Sequence, residues 1–135
     1  MEEPMDTEFV YNKGLDKGPT SVVLGPKVLA TIYYQFCPPE DLTLATYLVR
    51  PVPFFDESVL LTNTELSKEK YGSVHRVYVV CEKDNVLNEQ QFQRWLINNN
   101  PPDEVHMIQD AGHMVMFSKP RELCSCLVMI SQKCH

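Results

Sequence analysis

The sequence predicts an α/β fold, because its second half alternates apolar strand segments with helical segments. Residues 74–81 read V-H-R-V-Y-V-V-C, and this run of β-branched and apolar residues favours a strand. From Asn88 to about Asn99 the apolar residues, among them Phe92 and Trp95, recur at helical spacing, and Asn88 can cap the helix.

A second strand and a second helix complete this unit. Val105–Ile108 is a short apolar strand, and Pro120 begins a C-terminal helix that carries Leu123, Leu127 and Ile130. Strands joined by a crossover helix run parallel in the same sheet. Residues 73–135 are therefore expected to form a β-α-β-α unit with two parallel strands.

The first half is expected to be mainly helical. Residues 1–20 show no hydrophobic period and are interpreted as an irregular lead-in, with a short extended segment following at residues 21–24. One helix is predicted from Pro26 to about Phe36, and a second from Pro39 to a point before Pro51. Residues 50–72 are interpreted as a connection, so residues 1–72 form a separate helical region.

Composition limits the class of protein. The chain has 135 residues, of which 44% are hydrophobic and 22% charged, as in a globular domain. Its formal charge of −6 disfavours nucleic acid as a partner. The longest wholly apolar run, Val77–Cys81, is far too short to span a membrane, and the acidic first residues do not resemble a secretory signal. These features predict a soluble, cytoplasmic protein.

The five cysteines are expected to be reduced thiols, because their number is odd and their spacing irregular. Cys124 and Cys126, with His113, Cys134 and His135, suggest a metal site. However, zinc sites favour wider cysteine spacings, and residues two apart on a helix point in different directions. No metal or other cofactor is therefore expected.

Asp84 and His113 are the candidate catalytic residues. Each follows a predicted parallel strand, so both belong to the edge of the sheet where functional loops gather. A carboxylate that orients an imidazole supplies two members of a hydrolase triad. Asp84 as a turn residue or helix cap, and His113 as a source of a loop hydrogen bond, remain alternatives, and Glu82 and Asp103 are rival acids.

Several segments resemble the plant methylesterases, a group of α/β-hydrolases that act on salicylate, jasmonate and indole-acetate methyl esters. Residues 74–84 resemble the strand and loop that deliver the triad aspartate, and residues 111–120, A-G-H-M-V-M-F-S-K-P, resemble the histidine loop. The other matching segments are residues 92–95 and 99–105 of the core, and 24–27, 39–42 and 48–51 of the lid.

The resemblance implies a partial α/β-hydrolase fold that corresponds to the C-terminal half of the family. Residues 1–72 would supply the helical lid, and residues 73–135 the last two parallel strands with their helices. Asp84 and His113 would be the triad acid and base. Hydroxynitrile lyases, which are related, carry a lysine directly after the histidine, so Met114 favours an esterase.

The nucleophile of such a hydrolase is missing from the sequence. In α/β-hydrolases the serine lies in a G-x-S-x-G turn, and none of the five glycines has a serine two residues later. The amide that follows this serine, which serves the oxyanion hole, is therefore missing too. The sequence predicts a methylesterase-like hydrolase that is inactive by itself.

Three interpretations stay open: an inactive methylesterase remnant, a half-enzyme that needs a separate serine-bearing half, and a non-catalytic binder of small ligands or a partner. Expected ligands are small apolar methyl esters or acids, with no nucleic acid and no membrane as partners. The Val74–Cys81 strand is expected to have an unpaired edge through which the chain can self-associate.

Overall fold

A computed structural model describes residues 5–55, 66–87 and 89–133 of the chain, and it contains two small sheets. The first sheet has three antiparallel strands, and the second has two parallel strands with helices packed on it. The strands are β1 (Glu8–Val10), β2 (Ser21–Val23), β3 (Val52–Pro53), β4 (Val77–Cys81) and β5 (Glu104–Ile108).

The antiparallel sheet corrects the expectation for the first half. Residues 1–20 were expected to be irregular, but they contain β1, and the predicted connection contains β3. Strands of two or three residues are too short to show an alternating pattern, so β1 and β3 have no recognisable signal in the sequence, whereas β2 lies in the extended segment expected at residues 21–24. A long-range contact supports the sheet, because the rings of Phe9 and Phe54 stack with centroids 6.3 Å apart.

The first helix of residues 26–48, a segment called the lid here after the role expected for it, is shorter than predicted. Helix α1 (Pro26–Val28) passes into a wider π-helical turn at Leu29–Tyr33, and the helix stops before Phe36. Its first turn is held by a distant residue, since the Asp6 carboxylate accepts hydrogen bonds from the amides of Lys27, at 2.7 Å, and Val28, at 2.9 Å.

The second predicted helix, from Pro39 to a point before Pro51, is confirmed. Helix α2 (Pro39–Leu48) begins at the expected proline and ends before Pro51. Glu40 and Asp41 lie in its first turn, where negative charge interacts favourably with the helix dipole.

The β-α-β-α unit of the second half is confirmed, with corrected boundaries. Strand β4 begins at Val77 rather than Val74, and it pairs in parallel with β5, from Val77 opposite Glu104 to Cys81 opposite Ile108. The intervening helical segment consists of a π-helical turn at Glu89–Gln93 and helix α3 (Arg94–Asn99); its predicted cap, Asn88, lies outside the described residues. Helices α4 (Val115–Ser118) and α5 (Pro120–Lys133) follow β5.

The main core lies between the parallel sheet and α5. Cys81, Ile108, Ala111 and Cys126 form its buried centre. Four partly buried side chains pack around that centre: Val79, Val115, Leu123 and Ile130. The ends of both parallel strands therefore lie in this core, which fixes the loops that follow them.

The lid and the parallel unit contact each other through aromatic residues. Tyr34 stacks on Phe117 at 5.9 Å between ring centroids, and the sulfur of Cys37 lies 3.8 Å from the carbonyl oxygen of Met114.

The division into residues 1–72 and 73–135 stays a prediction. In the described part of the chain, no helix is long and apolar enough to cross a membrane.

Strand β4 has one free edge among the residues that the structure describes, because β5 is its only strand partner there. Large apolar side chains are also exposed around the parallel unit, including Trp95, Val105, Met107 and Leu127. Unpaired strand edges attract strands of other molecules. We therefore expect self-association through β4.

This expectation can be tested by size-exclusion chromatography with light scattering at several concentrations. The apparent mass of the wild-type chain should rise with concentration. Val77→Pro, a change at the first residue of the strand, where proline is tolerated, should reduce the association by removing one backbone donor. Leu127→Lys on α5 is the control and should not reduce it. A monodisperse wild-type monomer would contradict the prediction.

Candidate active site

Asp84 is fixed in the loop that follows β4 by hydrogen bonds to its own turn. Its side-chain oxygen Oδ1 accepts from the amides of Val86 and Leu87, each at 2.8 Å. Aspartate favours such turns because its short side chain reaches amides two and three residues later. The turn role that the sequence left open is therefore real, and it holds the carboxylate in a buried position.

His113 is carried by the loop that follows β5. Asp110 starts this loop with a positive φ of 56°, and Ala111 is completely buried against the core. Gly112 comes next, and a Cβ atom at this position would lie 2.9 Å from Cδ2 of Phe36. Glycine therefore lets the lid approach the histidine loop closely.

The two candidate side chains meet at the carboxyl edge of the parallel sheet. His113 Nδ1 lies 3.0 Å from Oδ2 and 3.1 Å from Oδ1 of Asp84, within the hydrogen-bond range expected of a triad acid and base. An ionised carboxylate only accepts hydrogen bonds, so a neutral imidazole in this position has its proton on Nδ1 and a lone pair on Nε2. The His113 side chain is 24% exposed and that of Asp84 only 5%, so the imidazole is the accessible partner.

Backbone and side-chain contacts lock the two loops together. The amide of Asp110 donates to Glu82 Oε2 at 2.8 Å, and the amide of Lys83 donates to the Ala111 carbonyl at 2.9 Å. Lys83 also forms an ion pair with Asp110, whose carboxylate raises the pKa of the Lys83 ammonium through a hydrogen bond and its charge. The relative position of Asp84 and His113 is thus set by several contacts besides their own.

The rival acids have other partners. Glu82 binds the Asp110 amide and belongs to the frame of the site. Asp103 precedes β5, at the opposite end of the strand from His113, and accepts from the Arg76 amide at 2.7 Å. That hydrogen bond is the main influence that lowers the pKa of Asp103.

The other histidines lie away from the site. The Nε2 atoms of His75 and His106 lie 3.4 Å and 3.1 Å from the two carboxylate oxygens of Glu104, at the start of β5. His135 lies outside the described residues.

Two residues of the site were not predicted from the sequence. Gln93, which is 2% exposed, binds the backbone of Cys81 and the carbonyl of Leu87, on either side of Asp84. The Tyr33 ring packs edge-on against the His113 imidazole, at 5.4 Å between centroids and 83° between planes. Both residues end π-helical turns, which often occur at functional sites, but helical spacing in a sequence does not reveal such turns.

An apolar cavity lies beside the histidine loop, with a volume of about 360 Å³. The lid forms one side of it, and Met114 and Phe117 form the other. Asp41 brings a carboxylate to its lining. The remaining lining residues are Leu24, Leu29, Tyr33, Tyr34, Leu44, Ala45, Leu48 and Val49.

The cysteines do not gather into a metal site in the described part of the chain, where no group of three or more His, Cys, Asp or Glu is placed to hold an ion. Cys126 is buried in the core, whereas Cys124 is exposed on α5. Cys134, a further ligand considered from the sequence, lies outside the described residues.

Comparison with known proteins relates this geometry to a family. No protein-family model matches the sequence. Methyl jasmonate esterase 1 of Vitis vinifera is 52% identical over 122 residues, which are 90% of this chain and 46% of that protein. The chain is homologous to the plant methylesterases. It spans about half the length of the curated methylesterases it matches.

Solved structures place the methylesterase homologue within the α/β-hydrolases. Tomato methylketone synthase I, in complex with 2-tridecanone, superposes with a TM-score of 0.91 at 38% identity, over 99% of this chain and 52% of that one. Polyneuridine aldehyde esterase has a TM-score of 0.81 at 40% identity, over 94% of this chain and 49% of that one. The predicted partial α/β-hydrolase fold is therefore confirmed.

Removing the Asp84 carboxylate should destabilise the fold. In Asp84→Ala the amides of Val86 and Leu87 and the Nδ1–H of His113 lose their acceptor. Because a hydrogen bond at such part-buried positions contributes about 0.5–1.5 kcal/mol, the loss of three should lower the free energy of unfolding in urea by about 2–4 kcal/mol. The exposed Asp16→Ala should change it by less than about 0.5 kcal/mol. Equal effects in both variants would show that the turn is not held by Asp84.

Adding one carbon at Gly112 should disturb the contact between the lid and the histidine loop. In Gly112→Ala the new Cβ meets the Phe36 ring, and such overpacking costs about 1–3 kcal/mol. Gly72→Ala is the control, since the nearest atom there is 3.6 Å away, an ordinary contact. Urea unfolding of both variants tests the prediction, which fails if Gly112→Ala is as stable as the wild-type chain.

Proposed function

We propose that this chain carries the lid and the acid–base pair of a carboxylic ester hydrolase that acts on methyl esters of apolar acids. The observation that carries the proposal is the hydrogen bond between the buried Asp84 carboxylate and His113 Nδ1, at 3.0 Å. This hydrogen bond lies at the carboxyl ends of the parallel strands, where the loops of such sheets carry catalytic residues.

In this proposal His113 is the general base and Asp84 orients it. The Nε2 lone pair takes the proton of an attacking hydroxyl group, and the oxygen of that group forms a bond to the ester carbonyl carbon. The imidazolium that results is stabilised by the adjacent Asp84 carboxylate. It then returns a proton to the methoxide oxygen as the ester bond breaks, which releases methanol.

The cavity beside the histidine loop supports an apolar acyl group as the substrate. Its lining is mainly aliphatic and aromatic, and burial raises the pKa of the Tyr34 phenol, which keeps this ring uncharged. The Asp41 carboxylate in the lining repels a free carboxylate but not its methyl ester. Methyl esters of plant hormones, such as the jasmonate ester named for the grape relative, have this chemistry.

The chain alone is proposed to be inactive, because three candidate groups in the part of the chain that the structure describes, Ser118, Ser73 and Cys37, are not placed or activated to replace the missing nucleophile. The Ser118 hydroxyl contacts the backbone of Gly112 and Met114, and the Ser73 hydroxyl donates to the Lys70 carbonyl. Burial raises the pKa of the Cys37 thiol, and the nearby Asp41 raises it further, so the thiolate is disfavoured. Removing the serine of a triad hydrolase lowers kcat by about a million-fold.

A non-catalytic binder is the second candidate, favoured by the cavity that the lid and the histidine loop form within this chain. Such a binder needs no nucleophile, and apolar esters should raise its melting temperature more than the corresponding acids, which the Asp41 carboxylate repels. The four described cysteines are free thiols, which supports a reducing compartment such as the cytoplasm for either function.

The inactivity can be measured with p-nitrophenyl acetate and methyl salicylate. We expect the purified chain to hydrolyse neither ester faster than buffer, and to gain no adduct with a fluorophosphonate probe, which labels activated serines. Hydrolysis that disappears in His113→Ala, together with a labelled Ser73 or Ser118, would contradict this proposal.

The acid–base role is tested by supplying the missing serine. A separately produced segment with a G-x-S-x-G turn, taken from a methylesterase relative, should restore hydrolysis when mixed with the wild-type chain. The His113→Ala and Asp84→Ala chains should restore none. The exposed His75→Ala is the matched control and should restore as much as the wild type. Restoration by His113→Ala would exclude the proposed base.

A further inference from the structure

The buried side-chain amide of Gln93 forms hydrogen bonds with three backbone atoms around the Asp84 loop. Its Oε1 accepts from the Cys81 amide at 3.1 Å, and its Nε2 donates to the Cys81 carbonyl at 2.9 Å and the Leu87 carbonyl at 2.8 Å. The two carbonyls require a donor and the amide requires an acceptor, so the side-chain amide fits in one orientation only.

These contacts enclose the loop that carries the acid. Cys81 is the last residue of β4, and Gln93 binds both of its backbone groups as a neighbouring strand would. Leu87 ends the loop, and its amide donates to the Asp84 carboxylate. A continuous set of hydrogen bonds therefore runs from the strand end through Gln93 and Leu87 to Asp84 and on to His113.

We propose that Gln93 is a positioning residue, which holds residues 81 and 87 at a fixed separation so that the Asp84 carboxylate faces His113 Nδ1. The inference rests on the proposed acid–base function and adds a residue to it. Gln93 does not touch the imidazole, so it acts only through the Asp84 loop.

A residue that merely filled the core would stabilise the fold without selecting the protonated nitrogen of His113. A positioning residue affects both the stability of the fold and the choice of the protonated nitrogen, because the tautomer of a neutral histidine is set by the hydrogen bonds that its ring nitrogens make. The tautomer is therefore the measurement that separates the two roles, and it needs no catalytic activity.

The experiment measures the side-chain ¹⁵N shifts of His113 by NMR in the full chain, at a pH where the ring is neutral. The wild type should carry its proton on Nδ1, and Asp84→Ala should lose this preference. Gln93→Met, which keeps the shape but removes all three hydrogen bonds, should show at least half of that loss. Gln93→Asn, one methylene shorter, cannot reach both Cys81 and Leu87 and should show a smaller loss of the same sign.

Leu123→Ala is the control for stability, because Leu123 packs on the core and takes no part in the hydrogen bonds around Asp84. It should lower the melting temperature yet keep the proton on Nδ1. If Gln93→Met does not fold, Gln93→Asn decides: an unchanged tautomer ratio in a folded variant overturns the positioning role. A wild-type His113 with its proton on Nε2 would instead overturn the proposed acid–base pair itself.

Discussion

The site depends on one constraint, the parallel register that sets Cys81 opposite Ile108 at the ends of β4 and β5. In a parallel pair the loops after both strands emerge at the same edge. The loop that carries Asp84 and the loop that carries His113 therefore begin side by side, at two buried strand ends. A shift of one residue in this register would turn the side chains of one strand to the other face and separate the two loops.

The contacts between the loops after β4 and β5 fix the relative position of Asp84 and His113. Glu82 and Lys83 bind Asp110 and Ala111, and these bonds join the two loops in the segments between the strand ends and the pair. The buried carboxylate of Asp84 has all of its described partners within the site, which include two backbone amides and the imidazole. The acid is thus rigidly held, while His113 keeps one nitrogen for chemistry.

The sequence allowed the strands of the parallel unit and α2 to be predicted, because each has a strong local signal. The Asp84–His113 pair was predicted from its position after two parallel strands and from the resemblance to the methylesterases. Val77–Cys81 is a continuous apolar run, and Pro38-Pro39 followed by two acids indicates a helix start. Strands β1 and β3 could not be predicted, because neither shows a pattern of its own in the sequence. They are held by contacts between distant segments, such as the stacking of the Phe9 ring on the Phe54 ring. The role of Gln93 was equally hidden, because its three partners are backbone atoms that carry no sequence signature.

The two π-helical turns also affect how the chain tolerates changes in length. A π turn contains one residue more than the α-helical turn it replaces, and each helical residue turns the chain by about 100°. A single-residue deletion within Leu29–Tyr33 would restore a regular helix and swing the following positions by that angle. The Tyr33 ring, which packs on the His113 imidazole, would then move away from it, although neither residue of the acid–base pair had changed. In a gene that otherwise accepts loop insertions and deletions, these two short segments should have constant length.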